Sequence, residues 1–149
     1  MINQRSAGII IYTVKNKKIF YLLLLHGKKY WNFPKGRMEI GETILETAYR
    51  ETQEETGVRA RDIKLEKGFR SSYRYTFRVE KGRIIYKEVI FFLGYIKDMP
   101  IHISDEHKDF EWFGYEEALR RLLHKNSQKL VREAHSFLLK KHYSGNKKN

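Results

Sequence analysis

Apolar and polar residues alternate loosely from Ala7 to Val14, a segment rich in Ile, and after the polar run Lys15-Asn-Lys-Lys18 the chain is apolar from Ile19 to Leu25. This pattern predicts two strands joined by a hairpin turn, the second of them central in a sheet. His26 to Gly36 carries Gly27, Pro34 and Gly36 and reads as a loop that presents Trp31, Phe33 and Lys35. Thr43 then reads as a helix N-cap, with Glu46 completing a capping box and Gly57 as the stop, so a helix is predicted over Ile44 to Thr56. Ile63 to Glu66, Gly68 to Val79 and Ile84 to Ile96 read as strands, the last two joined by a hairpin turn at Glu80 to Arg83, and Pro100 closes this region. Phe110 to Phe113 reads as a short strand and Tyr115 to His124 as a helix. A second amphipathic helix follows from Ser127 to about His142, with Leu130, Ala134, Phe137, Leu138 and Leu139 inward. The polar, basic tail Ser144 to Asn149 is expected to be disordered. Strands, a helix, more strands and two terminal helices predict an α/β domain, a mixed sheet between helices.

With 149 residues, 41% of them hydrophobic, the chain can bury one core of ordinary size, so a single domain over residues 1–149 is expected. Cysteine is absent, which removes disulfides, thiolate metal sites and cysteine nucleophiles together and fits a reducing cytosol. Neither a secretory signal nor an apolar run of membrane-spanning length is visible. A soluble cytoplasmic protein without membrane contact is expected, as monomer or dimer. The net charge of +12 and pI near 9.8 point to polyanionic partners, a polyphosphate chain or nucleic acid among them. Runs such as Lys15 to Lys18 and Lys147-Lys148 also read as plain solvated surface.

The predicted helix Ile44 to Thr56 carries the candidate chemistry. Numbered from Glu51 at about 100° per residue, Glu54 falls near 300° and Glu55 near 40°, whereas Leu45, Tyr49, Thr52 and Thr56 gather between about 100° and 160°. One face is acidic and the other can pack on a core. Clustered carboxylates repel and raise one another's pKa unless a cation sits among them, and hard Mg²⁺ or Mn²⁺ suits oxygen ligands. Arg50 lies four residues from both Glu46 and Glu54, close enough to orient a carboxylate. A solvated acidic face held by ordinary helix pairs is the structural alternative. Metal-bound carboxylates beside a basic loop suit hydrolysis of a phosphoanhydride. Lys35 beside Gly36 reads as a phosphate clamp, since a glycine-bordered loop lets backbone and ammonium approach the phosphates together.

Gly36, Glu42, Arg50, Glu51, Glu54, Glu55, Gly57 and Val58 stand at the spacings of the Nudix box, and the chain is identified by them as resembling the Nudix hydrolases. With seven fixed residues, a chance match at one start is on the order of 10⁻⁸. Thr52 stands where the general pattern has an aliphatic residue. Trp31-Asn-Phe-Pro-Lys-Gly36, Arg50-Glu-Thr-Gln-Glu-Glu55, Lys87 to Phe92 and Glu106 to Trp112 extend the resemblance to the asymmetrical diadenosine tetraphosphate hydrolase branch, where Thr52 is usual.

The resemblance implies an α/β/α sandwich in which the Gly36 carbonyl and the Glu51, Glu54 and Glu55 carboxylates hold two or more Mg²⁺. It implies that a glutamate activates the attacking water, with Glu51 either ligand or base and Glu106 an additional carboxylate on a loop. It also places Tyr75 as the residue that stacks an adenine, although Tyr73 shares its strand face and Phe110 and Tyr115 are candidates for a second base. Lys87 either contacts phosphate or points to solvent. His26 and His107 are candidate phosphate donors, and Trp31 either walls the pocket or anchors its loop. The expected activity is cleavage of diadenosine tetraphosphate to ATP and AMP. An RNA 5′-end pyrophosphohydrolase or decapping enzyme, which shares part of the Trp-x-Phe-Pro segment, and a non-catalytic nucleotide-binding domain are the alternatives.

Overall fold

The structure is a computed structural model and describes residues 2–105 and 107–147. Its centre is β1 (Gln4–Lys15), which turns through Asn16 and Lys17, both at positive φ, into β2 (Lys18–His26). Two short strands, β3 (Tyr30–Asn32) and β4 (Lys35–Arg37), occupy the expected loop; β3 pairs with β2 and β4 with β1. The helix α1 (Ile44–Thr56) follows, then β5 (Lys64–Leu65), β6 (Ser71–Arg78), β7 (Ile84–Tyr95) and β8 (His107–Gly114). The chain closes with α2 (Tyr115–Arg121) and α3 (Lys125–Lys147).

One mixed sheet contains all the described strands, along the path β3-β2-β1-β7-β5. The β1·β7 pairing is parallel, from Gln4 opposite Lys87 to Tyr12 opposite Tyr95, and the other pairings are antiparallel. Because successive residues of a strand face opposite ways, β1 feeds two cores. Ala7, Ile9 and Ile11 meet Ala48 of α1 on one face. Ile10 and Tyr12 meet Ala118 of α2 and Leu130, Val131, Ala134 and Leu138 of α3 on the other. The expected mixed sheet sandwiched between helices is therefore present.

Local signals held where chemistry was local. The Thr43 hydroxyl accepts from Glu46 N at 3.1 Å and the Glu46 carboxylate from Thr43 N at 2.8 Å, while Gly57 ends α1 at φ 78°. Glu46 is thereby committed to the cap and does not pair with Arg50. Thr47 and Ala48 are buried on α1 in addition to Thr52 and Thr56, whereas Leu45 and Tyr49 are only half-buried. In α3 the inward row is Leu130, Val131, Ala134 and Leu138; Leu139, expected inward, is 52% exposed, because a stripe at three- and four-residue steps admits Val131 and turns Leu139 away. The helix ends also move: α2 stops at Arg121, and α3 runs on to Lys147, into the segment expected to be disordered. Tyr12 donates to Glu66 in the core, and the Lys141 ammonium pairs with the same carboxylate, pinning α3 to the sheet.

Candidate active site

Arg50 organises the acidic end of α1. Its guanidinium donates to Glu42 at 2.6 and 3.0 Å, to Glu51 at 2.9 Å, to Glu54 at 3.2 Å and to the Arg37 carbonyl at 2.8 Å. One planar fork thus ties the β4 backbone, the following loop and two turns of helix together. Hydrogen bonding to Arg50 holds the Glu42 carboxyl down at about 2.

The backbone of β4 lies directly on α1. A Cβ placed on Gly36 would fall 1.9 Å from Glu51 Cδ, so the absence of a side chain is what lets the carboxylate lie against the strand. At Gly8 a Cβ would fall 2.2 Å from the Pro34 carbonyl oxygen, so β1 and the loop entering β4 also meet backbone to backbone. Glu55 is buried; its Oε2 accepts from Lys35 N at 3.2 Å. His107 Nε2 stands 3.3 Å from Glu55 Oε1 but off hydrogen-bond geometry, which leaves that oxygen buried with no donor among the described residues.

These groups line a cavity of about 530 Å³ that brings together His26, Lys35, Gly36, Glu51, Glu54, Glu55 and His107 from the sequence expectations, and adds Arg37, Ser104 and Asp105. Burial raises the Glu51 carboxyl above its ordinary range; Arg50 opposes this, while Glu55 and Glu54 push the same way as burial. Burial lowers the Lys35 ammonium despite the nearby Glu55 and Glu51. His26 is held at about 4 by burial, then by His107 and Lys35, so its imidazole is neutral at ordinary pH, and its Nε2 is, after Glu55 Oε1, a second buried polar atom of the site without a partner among the described residues. The ring stacks on Tyr30 at 5.1 Å and meets His107 edge-on at 4.4 Å.

Lys87 and Tyr75 do not line this cavity; the register puts them on the same sheet face as Lys35 and Arg37. Tyr75 lies directly opposite Lys87 in the sheet. Burial lowers the Lys87 ammonium, followed by repulsion from Lys35 and Arg37, which places the three cations on one flank of the cleft. Tyr73 and Tyr75 stack at 6.1 Å, and the Tyr73 phenol is raised to about 12 by burial and by the neighbouring Tyr75 and Tyr30. Trp31 instead packs edge-on against Phe113 at 5.1 Å and does not line the cavity. Phe110 packs against the α1-side core, and Tyr115 stacks on His135 at 3.9 Å, away from the cleft. Glu106 lies outside the described residues. The sequence reading missed Arg37, Ser104, Asp105 and Tyr30. Alternation from Lys35 could have found Arg37; no local signal marks the other three.

A shelf of carboxylates facing a flank of cations and tyrosines, at the junction of a helix and a mixed sheet, defines a hydrolase of phosphoanhydrides. The chain belongs to the NUDIX domain family, whose model matches residues 2–134. It is 37% identical over 144 residues to the asymmetrical bis(5′-nucleosyl)-tetraphosphatase of Mus musculus, covering 90% of this chain and 95% of that one. A solved binary complex of a C. elegans Ap4A hydrolase superposes with a TM-score of 0.82 at 26% identity, over 92% of this chain and 98% of that one. An RNA pyrophosphohydrolase of Francisella tularensis is 30% identical over 96 residues, covering 57% of this chain and 62% of that one.

The residues present fit a hard divalent ion. The donor set is all oxygen, the Glu55 Oε1 atom is buried without a donor, and the Glu51 carboxyl is raised by burial and by like charges that a cation would relieve. Among the described residues no three acidic or imidazole side chains converge on one point as they stand, because Arg50 holds Glu51 and Glu54 toward itself.

Proposed function

We propose that the protein hydrolyses dinucleoside tetraphosphates asymmetrically, giving ATP and AMP from diadenosine tetraphosphate. The observation that carries this reading is the two-sided cleft: the α1 carboxylates, among them buried Glu55 with one oxygen lacking a donor, face Lys35, Arg37 and Lys87, with Tyr75 beyond them. The similarity to the mouse enzyme over nearly the whole chain supports it. The Gly36 carbonyl and the Glu51, Glu54 and Glu55 carboxylates would hold Mg²⁺ or Mn²⁺, which supplies neutralisation of the leaving phosphate and a lowered pKa for water.

The chain's own residues do the rest. Lys35, Arg37 and Lys87 bind the polyphosphate and fix which phosphorus lies over the carboxylates. Neutral His26 offers a hydrogen bond to a phosphate oxygen without adding charge, and the His107 ring stands beside it as a second candidate donor. Tyr75 stacks an adenine, which sets how far the reacting phosphorus lies from the base. Water attacks a phosphorus away from the symmetric centre, a glutamate (Glu51 or Glu106) takes its proton, and the anhydride P–O bond breaks with the electron pair leaving on the departing nucleotide. Arg50 acts by positioning Glu51 and the β4 backbone.

Product analysis after incubation with Mg²⁺ tests the reading. ATP plus AMP in equal amounts is expected; two ADP would reject the asymmetric cut, and faster turnover of 5′-triphosphorylated RNA would reassign the substrate. Glu55→Gln is expected to abolish metal-dependent turnover while the protein stays folded, and unchanged turnover would remove the site assignment.

A further inference from the structure

The β6–β7 hairpin has two faces, and the cleft uses one of them. Tyr73, Tyr75 and Lys87 belong to the cleft side; the opposite side, where α1 packs further along the sheet, carries Arg70, Arg74 and Arg78. The placement follows from contacts as well as from alternation. Arg74 Nε lies 3.3 Å from Glu88 Oε2, Arg5 Nε from neighbouring β1 lies 3.2 Å from Glu88 Oε1, and the Arg70 guanidinium sits 5.9 Å from the centre of the Phe92 ring. In the register Thr76 faces Tyr86 and Arg78 faces Ile84, so a tyrosine and an isoleucine, 42% and 39% exposed, lie among the arginines.

A solvated charged face normally alternates signs. This one does not: Glu88 is shared by Arg5 and Arg74, and among the described residues Arg70 and Arg78 pair with no carboxylate. Burial pushes the Glu88 carboxyl up, and the two arginines more than offset it, so the acid is fully engaged. The strip from Arg70 to Arg78 is about 27 Å long at the rise of an extended strand, with guanidinium groups every fourth residue and Ser72 and Thr76 hydroxyls between them. Planar cations and small hydroxyls suit phosphate oxygens, and an exposed tyrosine suits the face of an unpaired base.

We propose that this uncovered sheet face is a binding surface for single-stranded polynucleotide, separate from the catalytic cleft. An anionic membrane fits it less well, because the exposed apolar area is only two side chains wide and the helix on this side of the sheet, α1, has its apolar face packed on the core and its acidic face outward. The proposal does not rest on the reading of the cleft, since none of Arg70, Arg78 and Tyr86 belongs to the catalytic or binding machinery described above.

The test is fluorescence anisotropy of a labelled short oligoadenylate in EDTA, titrated with the whole protein at several salt concentrations. The wild-type chain is expected to bind, with affinity falling linearly on a log–log salt plot. The double variant Arg70→Ser/Arg78→Ser is expected to weaken binding and to reduce the slope by about 1.4, at about 0.7 for each lost phosphate contact. Tyr86→Ala is expected to weaken binding about fivefold or more with the slope unchanged, as loss of one stacked base would. Turnover of diadenosine tetraphosphate, or of whichever nucleotide the enzyme prefers, is expected to stay at the wild-type level in both variants. No binding by the wild-type chain at low salt would overturn the proposal. So would an unchanged slope in the double variant, or capture by phosphatidylserine vesicles with no binding of the oligonucleotide.

Discussion

Gly36→Ala isolates the contact between β4 and the acidic helix. The added Cβ would lie 1.9 Å from Glu51 Cδ and 2.1 Å from Glu51 Oε2, against an ordinary contact of about 3.4–4 Å. The obstacle is the end of a flexible side chain, so the backbone can stay where it is and the carboxylate must swing away by roughly 1.5–2 Å. Displacements of about 1 Å in a catalytic constellation can cost about a hundredfold, so kcat for dinucleotide hydrolysis is expected to fall at least about a hundredfold. Stability should change far less. The main loss is the 2.9 Å bond from Arg50 to Glu51, a charge-assisted contact worth about 1.5–3 kcal/mol, part of which water recovers. At about 2–4 °C per kcal/mol for a chain of this length, the melting temperature should drop by only a few degrees. Steady-state turnover and a thermal melt on the same preparation give both numbers. A variant with wild-type kcat would refute the reasoning, because it would show that Glu51 is not needed where the structure puts it. A variant that loses tens of degrees would show that the strand, and not the side chain, gives way.

Arg50→Lys keeps the charge but loses the fork that joins Glu42, Glu51, Glu54 and the Arg37 carbonyl; it should lose about 2–3 kcal/mol and most of its activity, read by denaturant unfolding and turnover, and full activity would contradict the positioning role. Folding holds the His26 imidazole near 4 against an ordinary 6.5, through burial first and then His107 and Lys35. The unfolded chain therefore takes up a proton that the folded chain refuses, so the stability present above pH 6.5 is lost as the pH falls toward 4. Unfolding free energies on either side of this window should show the loss, and His26→Asn should flatten it; an equally steep loss in the variant would sink the assignment. Tyr12→Phe removes the hydroxyl donor to buried Glu66 and should cost about 1–3 kcal/mol, toward the lower end because Lys141 remains, with kcat unchanged.

Most of the fold was legible because its signals are local. Caps act within four residues, strand alternation within two, and helix stripes within four, so α1, β1, β2, β6 and β7 could be placed from adjacent residues. The misplacements have the opposite character. β3 and β4 are three residues each and exist only because β2 and β1 offer them an edge. Leu139 and Val131 exchanged places because the hydropathy of single residues does not fix the exact azimuth of a helix on its sheet. In the site, the Nudix spacing identified Glu51, Glu54, Glu55 and Arg50, and the arrangement around Arg50 shows how four of its partners are held. Trp31, which could be read as a pocket wall or as the anchor of its loop, packs partly buried against Phe113 at the edge of the core.

By itself, then, the sequence determined the acidic helix with its caps, the glycine ahead of it, the strand periodicities and the family. Each is written in residues close enough along the chain for backbone geometry to relate them. Only the tertiary structure decided that Lys87 joins Lys35 and Arg37, that Tyr30 stands beside Tyr73 and Tyr75, and that the arginines of β6 share a face with Arg5. Those meetings depend on the register of the parallel β1·β7 pair, which brings Arg5 to Glu88 across 83 residues, and a shift of one position would send every such side chain to the other face.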